Sequence, residues 1–105
     1  MQVTHEEILL FIKNFKFIEQ STIEKLFTEG NCYYFSIILK ERFKSGDVYY
    51  LPIANHFIWK YNGKFYDICG EYGTHEKAYK WEDFKKRDIS LSKRIERDCI
   101  RFETR

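Results

Sequence analysis

A cysteine in the first third of the chain has the residue type and the setting of a nucleophile. Cys32 follows Gly30, which ends a preceding helical segment, and Asn31, a residue type that favours the N-cap position of a new helix. As the first helical residue, Cys32 would meet unpaired backbone N–H groups and the positive end of the helix macrodipole, which favour a thiolate. Most free cysteines are small buried hydrophobes, however, so this interpretation requires a partner for the thiol.

A predicted hairpin supplies that partner. Asn62-Gly63 lies between two aromatic-rich runs and is the strongest short-range signal for a β-hairpin. A two-residue turn there pairs His56 with Cys69 and makes Asp67 a diagonal neighbour of His56, roughly 7–8 Å away at the backbone. Histidine and aspartate side chains can bridge that span with a hydrogen bond. The carboxylate would then fix the imidazole tautomer and stabilise the imidazolium as it forms.

Strand alternation divides the side chains of this hairpin between two faces. One face carries His56, Ile58, Phe65, Asp67 and Cys69, and the other carries Phe57, Trp59, Tyr61, Tyr66 and Ile68. We expect a helix to pack on the His56 face with its N-terminus over His56, which would bring the Cys32 sulfur to the imidazole. Nucleophile, base and orienting carboxylate would then make the sequence of contacts that thiol catalysis requires.

Helical periodicity dominates the sequence before the hairpin. Apolar residues recur at helical spacing in the segment 4–15, for which Thr4 is the N-cap. A second, shorter helix through Phe27 is predicted to end at Gly30. The helix that begins at Cys32 has an apolar stripe for burial. This stripe consists of Phe35, Leu39 and Phe43.

The periodicity changes to that of strands after a turn at residues 45–47. The predicted strands are Val48 to Leu51, Asn55 to Tyr61 and Lys64 to Cys69. Trp81 to Lys86 predicts one or two helical turns, and a C-terminal amphipathic helix would carry Leu91, Ile95 and Phe102. The fold class is therefore α+β, with N-terminal helices, including the one that bears Cys32, packed on a small antiparallel sheet and followed by a C-terminal helix.

Length and charge limit the function classes. The 105 residues form one domain, 1–105, with a modest core. The net charge of +2 does not predict a nucleic-acid partner, and no apolar stretch approaches the roughly 20 residues of a membrane span. Cys32, Cys69 and Cys99 do not form a disulfide framework, and residues 1–20 do not read as a secretion signal. We therefore expect free thiols, a cytoplasmic location and no membrane partner.

Three segments together resemble the core of the papain-like cysteine peptidase superfamily. They are Gly30-Asn31-Cys32, His56-Phe57-Ile58-Trp59 and Gly63-Lys64-Phe65-Tyr66-Asp67-Ile68-Cys69-Gly70. The most similar branches are NlpC/P60-like, transglutaminase-like and arylamine N-acetyltransferase-like proteins. The chain is also similar to small phage and prophage proteins with a helix-opening Gly-x-Cys and a later His…Tyr-Asp-x-x-Gly. The resemblance covers residues 30–70.

The resemblance implies a minimal papain-like fold and acyl transfer from an amide or thioester. Cys32 would attack a carbonyl, His56 would take and return the proton, and Asp67 would orient His56. The implied protein is a cysteine-dependent hydrolase or acyltransferase that acts on a peptide, isopeptide or side-chain amide bond, with no cofactor and no metal. The small domain leaves room for only a shallow groove, which favours a protein or peptide substrate.

The chain departs from the family in two respects. Cys32 and His56 are so close in sequence that the substrate-binding subdomain of larger relatives is absent, and no glutamine shortly before Cys32 matches the papain-type oxyanion donor. The backbone N–H of Cys32 could supply one donor. Gln20, Asn31 and Asn55 are candidates for the second.

The sequence is also compatible with other functions for these residues. A catalytically inert papain-like binding protein, such as a phage-encoded inhibitor of a host or defence protein, would have much the same sequence. Cys32, His56, Asp67 and Cys69 are ligand types that suit zinc, although their spacing fits no zinc pattern. Cys69 could itself be the nucleophile, but a strand offers no dipole to activate it.

Overall fold

Helices come before and after an antiparallel sheet in the computed structural model, which describes residues 3–17, 19–28, 31–74 and 76–97. The helices in these ranges are α1 (His5–Phe15), α2 (Gln20–Thr28), α3 (Cys32–Phe43), α4 (Trp81–Arg87) and α5 (Ile89–Ile95). The strands are β1 (Asp47–Leu51), β2 (His56–Tyr61), β3 (Lys64–Asp67), β4 (Gly70–Glu71) and β5 (Tyr79–Lys80). The predicted α+β fold class is confirmed.

Helix α1 begins with the N-cap that the sequence predicts. The hydroxyl of Thr4 accepts a hydrogen bond from the backbone N–H of Glu7 at 3.1 Å, and the Glu7 carboxylate accepts one from the Thr4 N–H at 2.8 Å. This capping box satisfies two N–H groups that the helix itself leaves unpaired. Ile8 and Ile12 lie on the buried side of α1. Helix α2 is also present, whereas Gly30, where its end was predicted, lies outside the described residues.

The turn between β2 and β3 sets the register of the hairpin. Asn62 and Gly63 have φ values of 52° and 80°, the left-handed conformations that a two-residue type I′ turn requires. Trp59 pairs with Tyr66 across the antiparallel ladder, which is the register that a two-residue turn at Asn62-Gly63 sets. Among the described residues the sheet order is β4-β3-β2-β1-β5, with antiparallel pairing between neighbours.

The predicted pairing of His56 with Cys69 is wrong. Strand β3 ends at Asp67, and the chain turns at residues 68–69. It then returns as β4, where Gly70 pairs with Asp67. The backbone N–H of Cys69 donates to the Asp67 carboxylate at 2.8 Å, and this local hydrogen bond offers the chain an alternative to the ladder. Cys69 therefore lies at an exposed turn instead of opposite the histidine.

Helix α3 packs on the sheet face opposite to the one predicted. Phe57 and Trp59 lie on the same face of the sheet, which we call the aromatic face, and both side chains are fully buried. On this face, Phe43 stacks on Trp59 at 5.8 Å and Tyr33 meets the Phe57 ring edge-on at 5.2 Å. Aromatic side chains bury roughly 150–250 Å² each, and apolar burial contributes about 25 cal/mol per Å². The aromatic face therefore gains more from being covered than the face to which alternation assigns His56.

The C-terminal helices cover the other end of the same aromatic face. Trp81 opens α4 and is buried against Phe57, with ring centroids 4.9 Å apart. Ile95 of α5 is also buried, and Leu91 packs beside it. The predicted C-terminal helix is confirmed over Ile89–Ile95, while Phe102 lies outside the described residues. None of the described helices is both long and apolar enough to cross a membrane.

Candidate active site

Cys32 is the first residue of α3, as predicted. Asn31 occupies the N-cap position, but its side chain makes no capping hydrogen bond. Its amide group instead donates to the backbone carbonyl of Leu26 in α2 at 3.0 Å. The first turn of α3 is therefore not capped by this side chain, and Asn31 ties α2 to the start of the helix that carries the thiol.

The thiol of Cys32 lies against the start of strand β2. Its sulfur accepts a hydrogen bond from the backbone N–H of Phe57 at 3.4 Å. The residue is only 6% exposed and belongs to the core cluster that includes Phe57. This contact places the nucleophile candidate next to His56, which precedes Phe57 in the strand.

His56 and Asp67 make the contact that the hairpin register predicts. The imidazole Nε2 of His56 lies 2.9 Å from Oδ2 of Asp67, and the two side chains are 12% and 9% exposed. The second carboxylate oxygen of Asp67 accepts the N–H of Cys69. Because both oxygens are engaged, the carboxylate has a fixed orientation toward the ring.

The charge state of His56 depends on both neighbours. Burial lowers the pKa of His56, but hydrogen bonds with Asp67 and Cys32, together with the negative charges of those groups, raise this pKa from 6.5 to about 9. The ring is therefore protonated at neutral pH. With Nε2 facing Asp67, Nδ1 is the nitrogen left for the thiol of Cys32. The three residues thus form a chain of contacts with the imidazole in the middle.

A further aromatic ring lies beside the imidazole. The ring centroid of Tyr72 is 5.2 Å from that of His56, with the planes inclined by 46°. Burial raises the pKa of Tyr72, and the charges of Asp67 and Glu76 raise it further, so the hydroxyl stays neutral. Neither Tyr72 nor Glu76 was predicted from the sequence. Both lie in the polar segment after Gly70, which has no periodicity that would predict where it packs.

One family model matches this chain over residues 9–102, and its description is phage YunG-like protein. The match spans most of the chain and includes Cys32, His56 and Asp67. The chain belongs to the phage YunG-like family. No curated protein and no solved structure matches it. The predicted similarity to phage proteins is thereby confirmed, and the family description names no activity.

Cys69 does not have the setting of a nucleophile in this phage YunG-like protein. Burial raises the pKa of the Cys69 thiol, and the negative charge of Asp67 raises it further, so the thiol form is favoured. Within the described part of the chain, no group of three or more His, Cys, Asp or Glu side chains is arranged to hold a metal ion. The zinc interpretation of Cys32, His56, Asp67 and Cys69 is therefore not supported.

The candidate oxyanion donors differ in what already engages them. The side-chain amide of Asn31 donates to a backbone carbonyl of α2, and the side-chain oxygen of Asn55 accepts from the Tyr50 hydroxyl at 2.6 Å. The side chain of Gln20 lies outside the described residues. The N–H of Cys32 is the first of α3, and no earlier turn of the helix supplies an acceptor for it.

Proposed function

We propose that this phage YunG-like protein is a cysteine-dependent hydrolase or acyltransferase that acts on an amide or peptide bond. The observation that carries the proposal is the position of the His56 imidazole, which hydrogen-bonds to Asp67 at 2.9 Å and also contacts the Cys32 thiol. Nucleophile, base and orienting carboxylate are the parts that thiol-dependent acyl transfer requires. The same order of parts supports a papain-like arrangement.

The first half of the reaction uses the charged forms of Cys32 and His56. The Cys32 thiolate attacks the carbonyl carbon of the substrate, a C–S bond forms, and the carbonyl electron pair moves to oxygen. In this proposal the backbone N–H of Cys32, at the start of α3, donates to that oxyanion. The tetrahedral intermediate then collapses, the C–N bond breaks, and the His56 imidazolium donates its proton to the departing amine.

The second half of the reaction regenerates the enzyme. Neutral His56 accepts a proton from water, and the hydroxide adds to the thioester carbon. Collapse of this intermediate breaks the C–S bond, releases a carboxylic acid and restores the thiolate–imidazolium pair. An amine in place of water gives a transamidated product by the same proton transfers. Asp67 keeps Nδ1 aimed at the sulfur and stabilises the ring when it is charged.

The limited exposure of the thiol favours a second candidate function. Cys32 is 6% exposed and its sulfur already accepts the Phe57 N–H. In a catalytically inert binding protein, such as a phage-encoded inhibitor of a host or defence protein, these contacts would only hold α3 against the sheet. The two functions differ in whether the folded protein presents a reactive thiolate.

The deciding measurement is the rate of iodoacetamide alkylation at each cysteine across pH, followed by mass spectrometry of the folded protein. We expect Cys32 to react faster than Cys69 at about pH 6 to 7, and to slow at least roughly tenfold in His56→Ala, because that variant loses the imidazole that contacts the thiol. Cys69 is the internal control, since its raised pKa predicts a slow reaction in the same range. A Cys32 that reacts only after unfolding, or at the same rate in His56→Ala, would identify the inert binding protein.

The acyl-transfer step has its own test. A panel of peptide, isopeptide and side-chain amide substrates, quenched in acid, should yield an acyl adduct on Cys32 that mass spectrometry detects. Cys32→Ser is the matched control, because it keeps the size of the side chain and loses the thiolate. Product formation that is unchanged in Cys32→Ser would contradict the proposed mechanism.

A further inference from the structure

The turn that precedes His56 is held by a carboxylate from a distant part of the chain. This turn, residues 52–55, joins β1 to β2, and each of its four residues is exposed. One oxygen of Glu76 accepts the N–H of Ile53 at 2.9 Å, and the other accepts the N–H of Ala54 at 2.9 Å. Two charge-assisted hydrogen bonds to consecutive N–H groups fix the orientation of the turn as well as its position.

Glu76 is itself held in place by its own segment. The Thr74 hydroxyl accepts the N–H of Glu76 at 3.1 Å and donates to its carbonyl at 3.2 Å. The backbone N–H of Tyr72 donates to the carbonyl of Phe65 at 2.8 Å, which anchors the segment to β3. The Tyr72 ring then lies beside the imidazole of His56. We call Tyr72, Thr74 and Glu76 the His56 clasp.

A change in the backbone conformation of the turn would act directly on His56, because His56 follows Asn55, the last residue of the turn. Asn55 has a φ of 54°, a left-handed conformation that asparagine adopts more readily than most other non-glycine residues. The Tyr50 hydroxyl supports this conformation through its hydrogen bond to the Asn55 side chain. His56 follows immediately. Relaxation of Asn55 toward ordinary φ values would therefore redirect the start of β2 and move the imidazole away from Asp67.

We propose that Glu76 is a positioning residue, which fixes the 52–55 turn so that the His56 imidazole lies between Asp67 and Cys32. This inference rests on the proposed function, because it concerns the same three side chains. Glu76 acts through the backbone of the turn and not on the reacting atoms. The position of the His56 imidazole thus depends on the His56 clasp, whose residues follow β4 in sequence.

The titration of His56 reports this positioning. Burial lowers the pKa of His56, and contacts with Asp67 and Cys32 raise it, so the titration midpoint depends on how close the ring lies to those two groups. Glu76→Gln keeps the size of the side chain but turns an NH₂ group toward one of the two backbone N–H groups. We expect the midpoint to fall by about one pH unit, and Cys32 alkylation at about pH 6.5 to slow roughly tenfold.

Both quantities can be measured on the full chain. NMR of the imidazole resonances, with His56→Ala to assign the signal, gives the midpoint, and mass spectrometry gives the alkylation rate. Glu41→Gln is the matched control: it removes the same charge from an exposed site on α3, where Glu41 pairs with Lys44 at 3.5 Å. We expect the control to behave as the wild type. Glu76→Asp, which keeps both oxygens, should recover part of the loss.

The outcomes of these measurements decide whether Glu76 positions His56. A folded Glu76→Gln protein with wild-type titration and alkylation overturns the positioning role. If that variant does not fold, the same two measurements are made on Thr74→Ala, which loses only the two hydrogen bonds of the Thr74 hydroxyl. A smaller shift in the same direction then supports the role, and no shift overturns it. Failure of the proposed function is distinguishable, because the wild-type Cys32 rate would then be unaffected by His56→Ala.

Discussion

At the scale of single residues, the proposed chemistry depends on the surroundings of one imidazole. His56 has its Nε2 within 2.9 Å of Asp67 and also contacts Cys32, and its pKa lies at about 9 because these contacts outweigh the effect of burial. The sequence predicted all three residues and the His56–Asp67 contact, since a two-residue turn fixes which residues of a hairpin are neighbours. It did not predict Tyr72, which reaches the imidazole through a tertiary contact.

Replacement of Asp67 should change both the titration of His56 and the stability of the protein. In Asp67→Asn we expect the His56 pKa to fall from about 9 toward 6.5. Because the pKa of His56 is higher in the folded protein than in the unfolded chain, protonation of His56 stabilises the fold. This stabilisation is fully present at pH values below 6.5 and is lost as the pH rises through about 9. Asp67→Asn should therefore cost about 1–3 kcal/mol near pH 6.5 and less above pH 9.

Urea unfolding at three pH values, together with NMR titration of the imidazole, measures this effect. The matched control is Asp47→Asn, because Asp47 pairs with Lys80 at 3.8 Å on the surface and should matter little. A destabilisation by Asp67→Asn that grows as pH rises would contradict the assignment of the charged ring.

At the scale of elements, close backbone approach fixes how α3 joins the sheet. Gly46, between α3 and β1, has a φ of 80°. A Cβ at this position would overlap the indole nitrogen of Trp59 and lie 2.6 Å from the carbonyl of Lys60. The indole N–H donates to the carbonyl of Ser45 at 3.0 Å, so the ring cannot move without losing that bond. The sequence predicted a turn here but not its contact with Trp59.

Substitution of two glycines separates strain from overlap. Gly46→Ala should destabilise the protein by about 2–4 kcal/mol, since it combines an unfavourable φ with overlap against Trp59 and Lys60. Gly63→Ala has the same φ of 80° and nothing within 4 Å, so we expect roughly 1 kcal/mol. Urea unfolding of both variants gives the difference. Equal losses would show that overlap at Gly46 contributes nothing.

At the scale of the whole molecule, the described residues form two core clusters that meet along α3. The first joins α1 and α3 to the sheet through residues such as Ile8, Leu39 and Trp59. The second contains Cys32 and Trp81, and joins the start of α3 to β1, β2 and the C-terminal helices. Cys32 of the candidate site therefore belongs to the second cluster, while Leu39 and Trp59 belong to the first.

A cavity in the first cluster should reduce stability without disabling the thiol. Leu39 is fully buried, so Leu39→Ala should cost about 2–5 kcal/mol in urea unfolding. Cys32 alkylation in the folded variant should stay within about threefold of the wild-type rate, because distant sites act independently. Leu10→Ala is the control, since Leu10 is 56% exposed and should cost no more than about 0.5 kcal/mol. A large loss of Cys32 reactivity in Leu39→Ala would show that the clusters are coupled.

The sequence by itself determined the features that depend on short-range signals. The Thr4 N-cap and the Asn62-Gly63 turn each involve residues within four positions of one another, and α3 starts at Cys32 as predicted, although the Asn31 side chain bonds to Leu26 and does not cap this helix. Helix caps and two-residue turns satisfy local backbone groups, so their residue types are readable without knowledge of the rest of the chain. The His56–Asp67 contact follows from the same turn, because it sets the register of the hairpin.

Only the tertiary structure decided which face of the sheet α3 covers and where the chain goes after Asp67. Alternation defines two faces but does not say which one a helix covers, and here α3 covers the face that carries Phe57 and Trp59. Cys69 left the ladder because its N–H bonds to Asp67, and Glu76 reached the turn before His56 from more than twenty positions away. Such contacts depend on competition among long-range arrangements, and no local pattern of residues encodes the result.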